Sequence, residues 1–228
     1  MHLTVRDVAR LLKTPEQVIY RWVDEGEIPC YWVSEQPGFN RTELLEWATS
    51  RRIPLDVDLF RDEDAPKDLP SLVQALTAGG IHFHIKGKDR ETVLRAVVGL
   101  FPLPDELDRE MLLQVMLARE AGGSTAVGHG IAIPHVRQPI AVHGGASVIS
   151  LCFLDDPIDF GAADGQPVHT LFSIISPTIH GHLQLLARLS AALHDPAFKA
   201  ALSRRAPAEE ILREAARLES SQPSPRPT

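Results

Sequence analysis

Ala146-Ser-Val-Ile-Ser-Leu-Cys-Phe-Leu154 and Val168-His-Thr-Leu-Phe-Ser-Ile-Ile175 decide the fold. Both runs are almost continuously apolar and rich in β-branched and aromatic residues. That pattern suits strands covered on both faces at the centre of a sheet. Asp164-Gly165, between them, is a tight-turn signal. Working outward, helical and strand-like patterns alternate. Helices are expected at 69–78 (stopped by Gly79-Gly80), 89–100 and 105–121 (stopped by Gly122-Gly123). Strands are expected at 81–85, 125–127 and 131–133. Helices follow at 180–193, 196–204 and 207–218, the last two opening on a proline. Alternation of this kind reads as an α/β domain, a mixed sheet with helices packed on it.

Residues 1–53 read as a separate helical module. Thr4 is placed to cap a first helix whose apolar face is Val5, Val8, Ala9 and Leu12. Thr14-Pro15-Glu16-Gln17 reads as a capping box opening a second helix, with Val18, Ile19, Trp22 and Val23 inward and Gly26 as its stop. The short break between them is close to helix-turn-helix spacing. Residues 29–39 alternate and turn like a small hairpin or wing, and Asn40-Arg-Thr-Glu43 opens a third helix. Residues 54–68 form a linker by composition: across 54–70 there are three prolines and six acidic residues against two basic ones. The domain proper is expected at 69–219, and the Ser/Pro-rich tail 220–228 is expected to be disordered.

The totals narrow the classes. A chain of 228 residues with net charge -7 is not coated by nucleic acid throughout, although one small DNA-reading module remains compatible. Two distant cysteines, with no Cys-x-x-Cys, fit a reducing compartment. Met1-His-Leu-Thr runs straight into an amphipathic segment without a signal pattern, and no apolar run reaches the ~18 residues a membrane span needs. A cytoplasmic protein without membrane insertion is expected.

The run Gly128-His-Gly-Ile-Ala-Ile-Pro-His135 carries the chemistry. Pro134 ends a strand and fixes the direction of the next side chain. The two glycines allow a tight turn and close approach of a bound group. A neutral imidazole is a competent nucleophile near neutral pH, so His135 is the candidate phosphoacceptor. His182 lies four residues before Leu186 on the inward stripe of its helix, near the helix N-terminus, where a phosphoryl oxygen is favoured. Arg119 offers a fixed charge to a phosphoryl group or an acidic partner. His129, His135, His180 and His182 do not make a zinc set, because histidines two apart on a helix do not share a face. No metal and no cofactor are expected.

Arg119-Glu-Ala-Gly-Gly-Ser-Thr125-Ala-Val-Gly128-His-Gly130-Ile-Ala-Ile-Pro-His135 resembles the phosphorylation-site signature of enzyme IIA domains of the phosphoenolpyruvate:sugar phosphotransferase system, in the fructose/mannitol/nitrogen-regulatory class. Pro157-Ile-Asp-Phe160, Asp164-Gly-Gln-Pro-Val168, Leu171-Phe172 and His182-Leu183 resemble its later blocks in the same order, so the resemblance covers roughly residues 69–219. It implies an α/β sandwich, a phosphosite at His135, a second active-site histidine at His182 and, by the Arg-Glu pair, a role for Arg119. It also implies a phosphorylated HPr-like carrier as donor. The chain would then be a phosphotransferase system component with a phosphohistidine intermediate, not a free-standing enzyme. Val136 and His129 depart from the family pattern at the rim of the pocket.

Residues 3–12, 18–29 and 39–47 resemble the winged helix-turn-helix of excisionase and MerR-type DNA-binding domains. By that resemblance Gln17, Tyr20 and Arg21 face DNA, and Trp22 sits in the core. Residues 1–55 nevertheless hold seven basic and eight acidic residues, and the wing carries no Lys or Arg. Phosphate contacts normally supply much of DNA affinity. The expectation is a nitrogen-regulatory-type phosphocarrier coupled to DNA binding. The alternatives are a protein-interaction regulator whose first module docks on target proteins or forms a homodimer, and a sugar-specific IIA component of a transport system.

Overall fold

The computed structural model describes residues 2–33, 36–51, 53, 70–140 and 145–221. The expected linker 54–68 and residues 222–228 of the expected tail lie outside these.

The first part of the chain is built from β1 (His2–Leu3), α1 (Val5–Leu11), α2 (Glu16–Asp24), β2 (Tyr31–Val33), β3 (Gln36–Asn40) and α3 (Arg41–Ser50). Thr4 caps α1 with a capping box, its side chain accepting from Asp7 N–H while Asp7 accepts from Thr4 N–H. The expected box at α2 does not form. Thr14 Oγ1 donates to the Leu12 carbonyl at 2.9 Å, and Pro15 is the cap residue without a side-chain hydrogen bond. The expected wing is the β2–β3 hairpin, extended by β1 to a three-stranded antiparallel sheet of order β1-β3-β2.

The larger part contains α4 (Leu72–Gly79), β4 (Ile81–Ile85), α5 (Arg90–Leu100), α6 (Arg109–Ala121), β5 (Ala126–Gly128), β6 (Ile131–Ala132), β7 (Val148–Ile158), β8 (Val168–Ile175), α7 (Ile179–Ala192), α8 (Pro196–Ser203) and α9 (Ala208–Ser221). The sheet has the order β4-β7-β8-β6-β5, mixing parallel and antiparallel pairs. The two quoted runs supply its buried centre, although β7 begins at Val148, with Ala146 exposed before it, and runs four residues past the expected end to Ile158. α6 begins four residues later than expected because Asp108, not Asp105, caps it, accepting from Glu110 N–H and Met111 N–H. α9 extends to Ser221, so Ser220 and Ser221, expected in the tail, are helical.

Period-two alternation divides the core. Ile149, Leu151, Phe153, Phe172 and Ile174 join one apolar cluster with Leu185, Leu186 and Leu189 of α7. Val148, Cys152, Leu154, Leu171 and Ile175 face the other way, onto α5 and α6. Helices therefore cover both faces. The first cluster continues without a break into Val8, Ile19, Leu44, Leu45 and Ala48 of the N-terminal module. No helix among the described residues is long and apolar enough to cross a membrane.

Candidate phosphoacceptor site

The same alternation that sorts the core sorts the site. Ile131 and Ile133 point into the cluster shared with α7 and the N-terminal module, while Ala132 and Val136 point into the opposite one. His135 follows in phase with Ile131 and Ile133. It extends the line of β6 by a bridge to Ile174 on β8, and the Pro134 carbonyl accepts from Ile174 N–H at 3.2 Å. Val136, the departure from the family pattern, is buried in the opposite cluster. Its larger side chain therefore fills the far layer and leaves the pocket untouched.

His135 is 3% exposed. Its Nδ1 lies 2.6 Å from the Ile133 carbonyl, and a carbonyl can only accept, so Nδ1 carries the proton. The free lone pair of a neutral His135 is then on Nε2. That atom is buried and has no hydrogen-bond partner among the described residues. His182, in the first turn of α7, has its ring centroid 5.0 Å from that of His135. Burial, helped by the neighbouring His135, pushes His182 down to about 3, so it is neutral at physiological pH. Its Nε2 also lacks a hydrogen-bond partner among the described residues.

Arg119 closes a third side. Its Nη1 donates to the Gly123 carbonyl at 2.9 Å, which ties the side chain to the loop after α6. Glu120 fixes that loop from within: it is buried and accepts from the Thr125 N–H and hydroxyl. Burial holds Glu120 above the usual carboxylate range. The turn Gly128-His129-Gly130 is left-handed at all three residues, and His129 N–H donates to Asp164 at 2.8 Å. His129, the second departure, is exposed on this turn.

The expected residues His135, His182 and Arg119 thus meet in one place. Two further residues belong to it. Arg137, two residues beyond His135, reaches the same point in space as Arg119. Glu46, from α3 of the other module, receives both: Arg119 at 2.8 Å and Arg137 at 2.7 Å. Glu46 Oε1 also lies 3.3 Å from His135 Nε2. Burial alone would raise the Glu46 carboxyl, but a protonated His135, Arg137 and Arg119 outweigh it and hold the group well below the usual carboxylate range; a neutral His135, with its proton on Nδ1, leaves that work to the two arginines. The adjoining cleft, about 270 Å³, is walled by Glu43, Trp47 and Ser50 on one side and by Ser124, His135 and Arg137 on the other. In the sequence Arg137 is only a cation two residues past His135. Glu46 gave no signal beyond a carboxylate beside Leu44, Leu45 and Trp47.

Gln17, Tyr20 and Arg21 are exposed together on the outer face of α2, away from this site. Trp22 is half-buried and meets Trp47 edge-on at 5.3 Å. Trp32, on the wing, is 65% exposed.

The family model for the phosphoenolpyruvate-dependent sugar phosphotransferase system, EIIA 2, matches residues 74–216. A helix-turn-helix domain model matches residues 3–52. The chain is 39% identical over 127 residues to a nitrogen regulatory protein of Pseudomonas aeruginosa, covering 54% of this chain and 79% of that protein. It is 31% identical over 121 residues to a nitrogen regulatory protein of Escherichia coli, covering 52% of this chain and 71% of that one. It is also 32% identical over 125 residues to the fructose-specific EIIABC component of Bacillus subtilis, where the match covers 54% of this chain but 19% of that protein. The crystal structure of nitrogen regulatory protein IIA-Ntr from Neisseria meningitidis superposes with a TM-score of 0.52 at 24% identity, covering 59% of this chain and 92% of that one.

Proposed function

Because the chain belongs to the EIIA 2 family of the phosphoenolpyruvate-dependent sugar phosphotransferase system and carries a helix-turn-helix domain ahead of it, we propose that it is a regulatory phosphocarrier that accepts a phosphoryl group on His135 Nε2. The observation that carries this reading is the state of that nitrogen. Its ring is pinned through Nδ1 to the Ile133 carbonyl, which leaves Nε2 as the second ring nitrogen, 3.3 Å from the Glu46 carboxylate on which two arginines converge.

The chemistry follows from those positions. The donor is the phosphohistidine of an HPr-like carrier. The His135 Nε2 lone pair attacks phosphorus, an N–P bond forms, and the donor's N–P bond breaks with its electron pair returning to the donor imidazole. No base is required, because Nδ1 already holds the only ring proton. Catalysis is positioning and charge stabilisation: Arg119 and Arg137 balance charge on the phosphoryl oxygens, and neutral His182 offers them a donor.

Incubation with phosphorylated HPr, and with its nitrogen-branch relative, followed by mapping of acid-labile phosphate tests this. The label is expected on His135 and absent from His135→Ala. A labelled His135→Ala protein overturns the assignment. His182→Ala and Arg119→Ala are expected to slow transfer by about tenfold to a thousandfold.

The outward face of α2, with Gln17, Tyr20 and Arg21, supports DNA as one target of the regulation, and the similarity to nitrogen regulatory proteins supports a regulatory role over sugar uptake. A second reading has its own support: a wing without Lys or Arg and with an exposed Trp32 suits contact with target proteins or a second copy. A salt-dependent titration with genomic DNA fragments separates them. Steeply salt-sensitive retardation favours DNA, and none at low salt favours the protein partner.

A further inference from the structure

Glu46 is carried by α3 of the helix-turn-helix module, yet its carboxylate is held by the phosphoacceptor domain. Its Oε2 accepts from Arg119 Nη2 at 2.8 Å and from Arg137 Nη2 at 2.7 Å. Its Oε1 accepts from Arg137 Nε at 2.9 Å and sits 3.3 Å from His135 Nε2. The Arg137 contact is a two-pronged fork, the geometry by which a guanidinium recognises carboxylate and phosphate alike. An ionised carboxylate is expensive to bury unless it is paired this closely. The carboxylate therefore occupies the place for which the two arginines and the histidine are arranged.

We propose that Glu46 is an internal stand-in for the phosphoryl group, and that the two exclude one another, so that the N-terminal module is docked on the unphosphorylated chain and released from the phosphorylated one. This rests on the reading of His135 as the phosphoacceptor.

Three physical conflicts enforce the exclusion. The first is space: phosphoryl oxygens covalently carried by Nε2 lie closer to that nitrogen than the 3.3 Å of Glu46 Oε1, and oxygens held there compete with the carboxylate for the same two guanidiniums. The second is charge: a phosphoryl group brings roughly 1.5 to 2 negative charges to a point where Glu46 is already ionised. Arg119 and Arg137 cannot neutralise both anions, and the covalently attached one stays. The third is access. With α3 in place His135 is 3% exposed, so the phosphohistidine of a macromolecular donor cannot reach Nε2 until the module lifts. Docking thus slows acceptance, and acceptance prevents docking. The apolar part of the contact, where the module's cluster runs on into that of α7, holds the docked state in register but carries no charge of its own to sense the phosphate.

The test uses the full chain and two variants. Glu46→Gln keeps the side chain's shape and removes its charge, and Glu46→Ala removes the occupant. If the module lifts only part of the time, uptake is reduced by the closed fraction. Initial uptake from phosphorylated HPr is therefore expected to rise about fivefold or more in both variants. All three tryptophans, Trp22, Trp32 and Trp47, lie in the module, so acrylamide quenching of their emission reports on it alone. Quenching and the radius of gyration from X-ray scattering are expected to increase when the wild type is phosphorylated. Unphosphorylated Glu46→Ala should already show the open values, and should bind inorganic phosphate where the wild type does not. Uptake rates within twofold of wild type in both folded variants overturn the proposal, as does a phosphorylated wild type as compact as the free one. If no chain gains phosphate on His135, the functional reading fails. Scattering and phosphate binding by unphosphorylated wild type and Glu46→Ala then still decide whether Glu46 occupies the site: no difference between them rejects it. Circular dichroism on each variant separates these outcomes from misfolding.

Discussion

At His135 a backbone carbonyl selects the tautomer, and so the nitrogen proposed to accept the phosphoryl group. The Ile133 oxygen ties down the Nδ1 proton at 2.6 Å and leaves Nε2 beside Glu46 Oε1, 3.3 Å away. His182 is tuned differently, by burial, which favours its neutral form. Its folded value of about 3 lies below the ordinary 6.5, so between those values the unfolded chain binds the extra proton. Stability contributed by this group is complete above pH 6.5 and declines as pH falls through the window toward 3, by up to about 1.4 kcal/mol per pH unit. Urea unfolding at a series of pH values should show that decline, and His182→Gln should flatten it; equal slopes would exclude His182 as its source. At this scale His135 was legible because proline and glycine fix backbone geometry locally. His182 was legible because helical spacing set its face. Arg137 was not, since nothing in sequence says that a cation two residues on turns back to the same point.

Among elements, strand alternation explains why Ile131, Ile133 and His135 share a layer with α7 while Ala132 and Val136 do not. The strand preceding the site depends on the turn Gly128-His129-Gly130. Gly130 has φ +71°, and a Cβ there would lie 2.4 Å from the His169 ring. Gly165 has a similar φ of +68° with nothing within 4 Å. Gly130→Ala should therefore destabilise by about 2–4 kcal/mol and Gly165→Ala by about 1 kcal/mol, read from urea midpoints at unchanged m-value. Equal losses would mean that backbone strain alone acts at both. Capping limits what the sequence can say about element ends. Thr14 and Asp105 both have the chemistry of an N-cap, but Thr14 turns to the Leu12 carbonyl and Asp108 displaces Asp105. Such competition between equivalent short-range partners is settled by which one lets the helix bury its apolar face.

Across the whole molecule the two modules share one apolar cluster and one buried ion-pair site. They should unfold together. Calorimetry of the unphosphorylated chain is expected to give one transition, whereas Glu46→Ala and the phosphorylated chain give two, the module melting first. Two transitions in the unmodified wild type would show that the contact couples too weakly for a switch. The amino-acid sequence by itself determined the α/β class and the order of strands and helices, because these follow from periodicity and from residues close along the chain, and its motif blocks carried the resemblances that point to the helix-turn-helix and to His135 and His182 as site residues. Only the tertiary structure decided that Glu46 meets Arg119, Arg137 and His135. Those residues lie 73 to 91 positions apart from it, and a carboxylate on a half-apolar helix looks the same in sequence whether it faces water or a pocket of opposite charge.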